Sequence, residues 1–335
     1  MFCTGAQAHR LEVDVSRNKS MQPTTVGASP VKLEFLAPTP LEQWRHNTFG
    51  QLAFAQSLWD VSRAPATLSY RARDTIQKRI STRMLRHWQV KLEVAGLESV
   101  RRGPYLIAAL HEGMADVLCL LQLPLPMRFV ARREIFAWPL LGPAITKFGH
   151  VAIDPEHGAL SFWPLLQAAA TILETGESLV MFPQGSVAGI EGGFQRGVFE
   201  IGKRLGVPIL PVVLSGSHRI WEHPHSSTLR YGQRVGLRVL PEIGVEVLRS
   251  EPLEQVRIRL QREMKTIALS GEMPSPRHYW GPRDGYWHGY RFDMDPDFPE
   301  VYADFMASRK TYLESLKAKS LEPDLIGSDL LEPQV

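Results

Sequence analysis

The chain reads as an α/β protein: a mixed, mostly parallel sheet flanked by helices and preceded by an N-terminal helical pair. Three observations predict this. Short apolar runs recur between residues 88 and 270, as strands buried on both faces require. Stretches with apolar residues at helical intervals lie between them, giving the strand–helix alternation of a parallel sheet. Finally, the run Tyr105–Leu110 passes through a polar turn into a second apolar run. Such strand ends are where open α/β sheets carry their chemistry.

Residues 1–40 are polar, with scattered Ser, Thr, Gly and Pro and no periodicity, and are expected to be disordered or loosely attached. Residues 41–88 form two amphipathic helices broken at Ala64-Pro65-Ala66. The second carries an apolar line of Ile76, Ile80, Met84 and Trp88, with Lys78, Arg79, Arg83 and Arg86 on another face. That basic face is either solvated or set against anionic lipid headgroups.

Residues 89–270 form the α/β domain. Strands are expected at Val90–Ala95, Tyr105–Leu110, Met127–Ala131, Phe148–Ile153, Ser178–Phe182, Pro208–Leu214 and Val235–Leu240. Among the helices, Met114–Leu121 is one. A second is capped by Ser161, carries Pro164 in its first turn and stops at Gly176. A third runs from Phe194 to Leu205 and ends at Gly206. A closing helix shows one face of Leu253, Val256, Leu260, Met264 and Ile267.

Residues 271–335 are an aromatic-rich extension, expected to pack back on the domain, with a disordered tail beyond about Leu316. Asp293, Asp295 and Asp297 imitate the start of a calcium loop, but Phe298 stands where its glycine belongs, so calcium is not expected.

Composition narrows the function. A net charge of +3 gives no whole-protein attraction to nucleic acid. The two cysteines, Cys3 and Cys119, supply neither a disulfide framework nor a metal set. His218, Glu222, His223 and His225 lie close together, but Pro224 between two of them and the following Ser-Ser read as a surface loop, so no metal is expected. The first 40 residues lack a signal core, and no run approaches the ~20 apolar residues of a membrane span. The expected location is cytoplasmic, peripheral on a membrane.

His111 and Asp116 are five positions apart. On one helix that separates them by roughly 140°, so they meet only if His111 sits in the turn before the helix and Gly113 lets the chain fold back. A carboxylate so placed would hold one imidazole nitrogen and leave the other as a base. The spacing alone is weak, because His9 with Asp14 and His288 with Asp293 repeat it.

Three later segments follow in order: the stretch around Arg132–Asp154, the run Val180–Ser186 (VMFPQGS), and Phe194–Val213 (FQRGVFEIGKRLGVPILPVV). With the H-x4-D turn, this series resembles the glycerolipid acyltransferases, which include lysophosphatidic acid acyltransferases, over about residues 88–245. The resemblance implies His111 as general base, oriented by Asp116. It implies substrate contacts from Gly113, Phe182, Pro183, Gln184 and Gly185; backbone N–H groups near Gly113 or Gly185 are candidates to polarise the carbonyl. Arg196 matches a basic position of the family and is expected to meet an anionic group.

The sequence departs from that pattern at Leu110, where the family usually has Asn, and at Pro155 and Val187, where it usually has Arg. Gln184 replaces a Glu. The absent arginines remove donors that a phosphate site would use. The resemblance implies an O-acyltransferase that moves a fatty acyl chain from acyl-CoA or acyl-ACP to a lipid hydroxyl. The acceptor is a lysophospholipid or one without a phosphate ester. No cofactor is expected; the thioester is a co-substrate, and acyl carrier protein and the membrane surface are the expected partners. Two other readings stay open: a lipid-binding or regulatory protein of the same fold, and an acyl-thioester hydrolase.

Overall fold

The computed structural model describes residues 39–65, 68–101, 103–154, 158–187, 189–221, 228–274, 276 and 295–318. Expectations for residues 1–38, the aromatic stretch 278–292, Glu222 to His225, Pro155 and the tail beyond 318 lie outside the described residues.

Seven strands form one sheet: β1 (Lys91–Ala95), β2 (Leu106–Ala109), β3 (Met127–Arg132), β4 (Val151–Ile153), β5 (Ser178–Met181), β6 (Ile209–Ser215) and β7 (Arg234–Val239). Their order is β1–β7–β6–β2–β5–β3–β4. All neighbours are parallel except β6 and β7, so β1 and β7 run against the other five. The expected mixed, mostly parallel sheet is present. Strand β2 is central and buried throughout, which explains why its sequence is apolar without alternation.

The helices are α1 (Pro40–Ser62), α2 (Tyr70–His87), α3 (Asp116–Leu120), α4 (Leu141–Lys147), α5 (Ala159–Glu174), α6 (Gly197–Leu205), α7 (Val245–Ser250), α8 (Leu253–Leu269) and α9 (Pro299–Ala318). Leu106, Ala108 and Leu110 point to the face covered by α5 to α8, whereas Tyr105, Ile107 and Ala109 point to the face covered by α2 and α3. This is the period-two division of a strand between two layers.

The N-terminal helical pair forms for local reasons. Thr39 and Glu42 make a reciprocal capping box at α1, with Pro40 at its first position. Ser69 caps α2 through the N–H of Ala72. Met84 and Trp88 then enter the sheet core, while Ile76 and Ile80 pack with Leu58, Val61, Ala144 and Phe148 between α1, α2 and α4. The pair is also tied down electrostatically: Glu177, 1% exposed, takes Arg73 of α2 at 2.8 Å and Arg128 of β3 at 2.5 Å.

Several boundaries differ from the sequence expectation. Helix α3 begins at Asp116, not Met114, because the turn before it is held by the Asp116 side chain. Helix α5 begins two residues before Ser161, whose hydroxyl donates to Asp154 O at 2.7 Å, and Gly158 takes the cap position. Helix α6 begins at Gly197, since Phe194 N–H is bonded to Gln261 of α8; its end at Gly206 is left-handed. The strand expected from Phe148 is only Val151–Ile153, as Phe148 ends α4. Leu316, where a disordered tail was expected to begin, lies within α9, which runs to Ala318. Asp295 and Asp297 are engaged by Lys265 and Arg262.

Candidate active site

Strand β2 ends at the sheet's carboxyl edge, and His111 lies in the loop between it and α3. Asp116 is fully buried and gathers four donors. Its Oδ2 accepts from His111 Nδ1 at 2.6 Å, from Glu112 N–H at 2.7 Å and from Gly113 N–H at 3.0 Å. Its Oδ1 accepts from the hydroxyl of Ser217. An ionised carboxylate can only accept, so Nδ1 carries the imidazole proton and Nε2 holds the lone pair.

The ring is 16% exposed and stacks on Phe182, with centroids 3.8 Å apart and planes at 15°. The backbone carbonyl of His111 accepts from Gly189 N–H at 2.9 Å.

The segment that follows β5, from Phe182 to Gly189, supplies that support. Strand β5 lies beside β2 in parallel, so the loop after β5 emerges next to the His111 turn. Gly185 N–H donates to Phe182 O at 3.0 Å, and Pro183 O accepts from Gln195 N–H at 2.7 Å. Gly185 has φ +72°, a conformation that glycine adopts without strain. Gln184 is buried; its Nε2 donates to Gly189 O at 3.0 Å. An ionised Glu could not make that bond, which accounts for the amide here. Gln184 Oε1 is buried without a hydrogen-bond partner among the described residues.

The N–H groups of Gly113 and Gly185 themselves donate to Asp116 and to Phe182 O. Gly113 also serves close approach: a Cβ there would lie 3.2 Å from the Cα of His218. Arg196, at the start of α6, has a side chain 65% exposed and faces Glu254 of α8 at 3.6 Å.

Ser217, which the sequence analysis did not single out, lies in the turn after β6, and its hydroxyl fixes Asp116. Glu112 went unassigned and His218 was read as part of a surface loop; their side chains meet at 3.2 Å, with His218 only 21% exposed. The signal that could have found all three is the adjacency of β6 to β2, which puts the turn after Ser215 beside the turn after Ala109.

Comparison with known proteins agrees with this architecture. Residues 91–215 match the acyltransferase family model. A 1-acyl-sn-glycerol-3-phosphate acyltransferase of Limnanthes alba is 29% identical over 136 residues, 39% of this chain and 48% of that protein. The alpha form from Bos taurus is 27% identical over 206 residues, 59% of this chain and 71% of that one. The chain thus spans about half the length of the plant relatives it matches. Among solved structures, the 1-acyl-sn-glycerophosphate acyltransferase PlsC of Thermotoga maritima superposes with a TM-score of 0.52 at 19% identity, over 68% of this chain and 98% of that chain. Residues 91–215, with the H-x4-D turn near their start, are thus similar to the acyltransferase family.

Proposed function

We propose that the protein is an O-acyltransferase, moving a fatty acyl group from a thioester on coenzyme A or acyl carrier protein to the hydroxyl of a lipid acceptor. The observation that carries this is the 2.6 Å contact between His111 Nδ1 and the buried Asp116 carboxylate. It makes Nε2 the free base of a group whose tautomer and orientation are fixed.

In the reaction, Nε2 takes the proton of the acceptor hydroxyl as its oxygen attacks the thioester carbonyl. The tetrahedral intermediate collapses, the carbon–sulfur bond breaks, and the departing thiolate recovers the proton from the imidazolium. A thioester is already activated, so no acyl-enzyme intermediate is needed. The names of the relatives favour a lysophospholipid acceptor.

The lipid must be met at a surface. Among the described residues no helix is long and apolar enough to cross a membrane. Helix α1 nonetheless exposes Leu41, Trp44, Phe49, Leu52 and Trp59, each more than half accessible, and the neighbouring α2 exposes Arg79, Arg83 and Arg86. Apolar anchors with cations beside them suit peripheral binding to anionic lipid.

The test is transfer of a labelled acyl thioester to lysophosphatidic acid and to a panel of uncharged lipid alcohols. His111→Ala should lower the rate by about 10³-fold or more while the melting temperature changes little. Equal activity in the mutant would remove the assignment. Release of free thiol that ignores added acceptor would make the protein a hydrolase, and vesicle binding with no turnover would make it a lipid-binding protein.

A further inference from the structure

Helix α8 buries an apolar stripe, Val256, Leu260 and Met264, in the core beside β6. A polar stripe runs next to it. Arg257, Gln261 and Lys265 recur at every fourth position, which puts them on one side of the helix. Gln261 and Lys265 are buried, and the Arg257 side chain is 15% exposed. Polar groups are costly to take out of water unless other hydrogen bonds replace those they lose, so such a stripe needs partners within the protein.

Those partners are main-chain atoms of one loop. Arg257 Nη1 donates to Phe194 O at 2.9 Å, Gln261 Oε1 accepts from Phe194 N–H, and Lys265 Nζ donates to Gly192 O at 2.8 Å. The stripe is itself braced. Arg257 donates to Gln261 Oε1 and to Glu254, both at 3.1 Å, and Lys265 pairs with Asp295 at 2.7 Å.

The same loop carries the supports of the base. Gln195, next to Phe194, donates its N–H to Pro183 O at 2.7 Å, and Phe182, next to Pro183, stacks on the His111 ring. On the other side of Gly192, Gly189 N–H donates to His111 O at 2.9 Å, and Gly189 O accepts from Gln184 Nε2. Between β5 and α6 the described residues form neither helix nor strand, so the loop depends for its shape on ties to its surroundings.

We infer that Arg257, Gln261 and Lys265 are positioning residues for the base. Helix α8 holds Gly192 and Phe194, and through them fixes Phe182 against the His111 ring and Gly189 under its backbone. Gln261 is the central member, since one oxygen meets both Phe194 N–H and Arg257. The kinetic consequence rests on the acyl-transfer reading; the geometric consequence stands without it.

Gln261→Met keeps the length of the side chain and removes the acceptor. It should lower kcat about tenfold while the KM for acyl-CoA and for lysophosphatidic acid changes less than about twofold, because the base is displaced and the substrate contacts are not. Gln261→Glu still accepts from Phe194 and Arg257, and should recover most of the loss. An unchanged kcat, an equal loss in both variants, or a loss carried by KM overturns the inference.

A second readout needs no turnover. Diethyl pyrocarbonate acylates a neutral imidazole nitrogen, and peptide mass spectrometry follows its rate at His111. Stacked and 16% exposed in the wild type, the ring should react at least about threefold faster in Gln261→Met, as its cover opens more often. Equal rates overturn the inference. Should Gln261→Met fail to fold, Arg257→Met, at a partly exposed position, removes the tie to Phe194 O and is held to the same two readouts. A wild type that transfers no acyl group, but whose His111 is unmasked by Gln261→Met, would sink the acyl-transfer reading and leave the hold of α8 on the His111 turn standing.

Discussion

Asp116 accepts from His111, from two backbone N–H groups and from Ser217. Hydrogen bonds to a charged group contribute about 1.5–3 kcal/mol each, and the backbone pair holds Oδ2 in place. The share of Ser217 is orientation, because it is the one partner on Oδ1 and it comes from a different strand. Ser217→Ala should lower kcat by about ten- to a hundredfold with a smaller effect on KM, since the loss falls on the base and not on substrate contacts. Ser217→Thr, which keeps the hydroxyl, should retain more activity. Steady-state kinetics of the two variants decide it; an alanine variant with unchanged kcat would make Ser217 a packing residue only.

Among the described elements, α1 carries five of the seven exposed large apolar side chains, and α5 the other two. Its inward side meets α2 and α4 through Leu58 and Val61; its outward side carries Trp44, Leu52 and Trp59. Each large apolar side chain taken out of water is worth about 1.5–3 kcal/mol. Replacing these three together by Ser should weaken binding to anionic vesicles by at least about a hundredfold, with the melting temperature nearly unchanged. Co-sedimentation measures it, and undiminished binding would move the membrane contact elsewhere.

The join between α8 and the segment leading into α9 rests on a buried ion pair. Lys265 Nζ meets Asp295 at 2.7 Å and Gly192 O at 2.8 Å, with both side chains at most 1% exposed. Phe194 and Phe298 flank the ammonium. Breaking such a pair leaves an uncompensated charge, so Asp295→Asn should cost about 3–5 kcal/mol in denaturant unfolding. Lys265→Met combined with Asp295→Leu should recover most of it, since neither charge then remains to be desolvated.

At the scale of the molecule, two buried groups make stability depend on pH in the same direction. Burial, with the charge of Arg128 helping, pushes His150 down to about 3 from its usual 6.5; its Nδ1 accepts from Phe129 N–H. Between those values the unfolded chain binds a proton that the folded one refuses. The contribution is therefore complete above the unfolded value and is lost as pH falls toward 3. Burial raises Glu177, but hydrogen bonds from Arg128 and Thr175, with the charges of Arg128 and Arg73, outweigh it and leave the carboxyl below its usual 4.5. Its contribution is likewise present above the unfolded value and lost as pH falls through the folded one. The melting temperature should therefore drop steadily from pH 7 to pH 4. His150→Gln should lessen that drop by removing one of the two titrations.

Much of this was open to inspection in the sequence. The period of apolar residues placed all seven strands, because a strand buried on both faces must be apolar throughout and β2 has little freedom to be otherwise. Gly206 marked the end of α6, since a left-handed position at that place favours glycine. The His111–Asp116 turn was legible for the same local reason: five residues that cannot face each other on a helix can do so in a loop.

What the sequence could not carry is which strands are neighbours. The order β6–β2–β5 is set by the packing of two helical layers on a twisted sheet, and it alone brings residues a hundred positions apart to one edge. Ser217 on Asp116, His218 on Glu112 and Gly189 under His111 are products of that adjacency. Side-chain chemistry is local and can be read in order along the chain. The geometry that turns a histidine into a held base depends on contacts distant in sequence, and only the tertiary structure determines them.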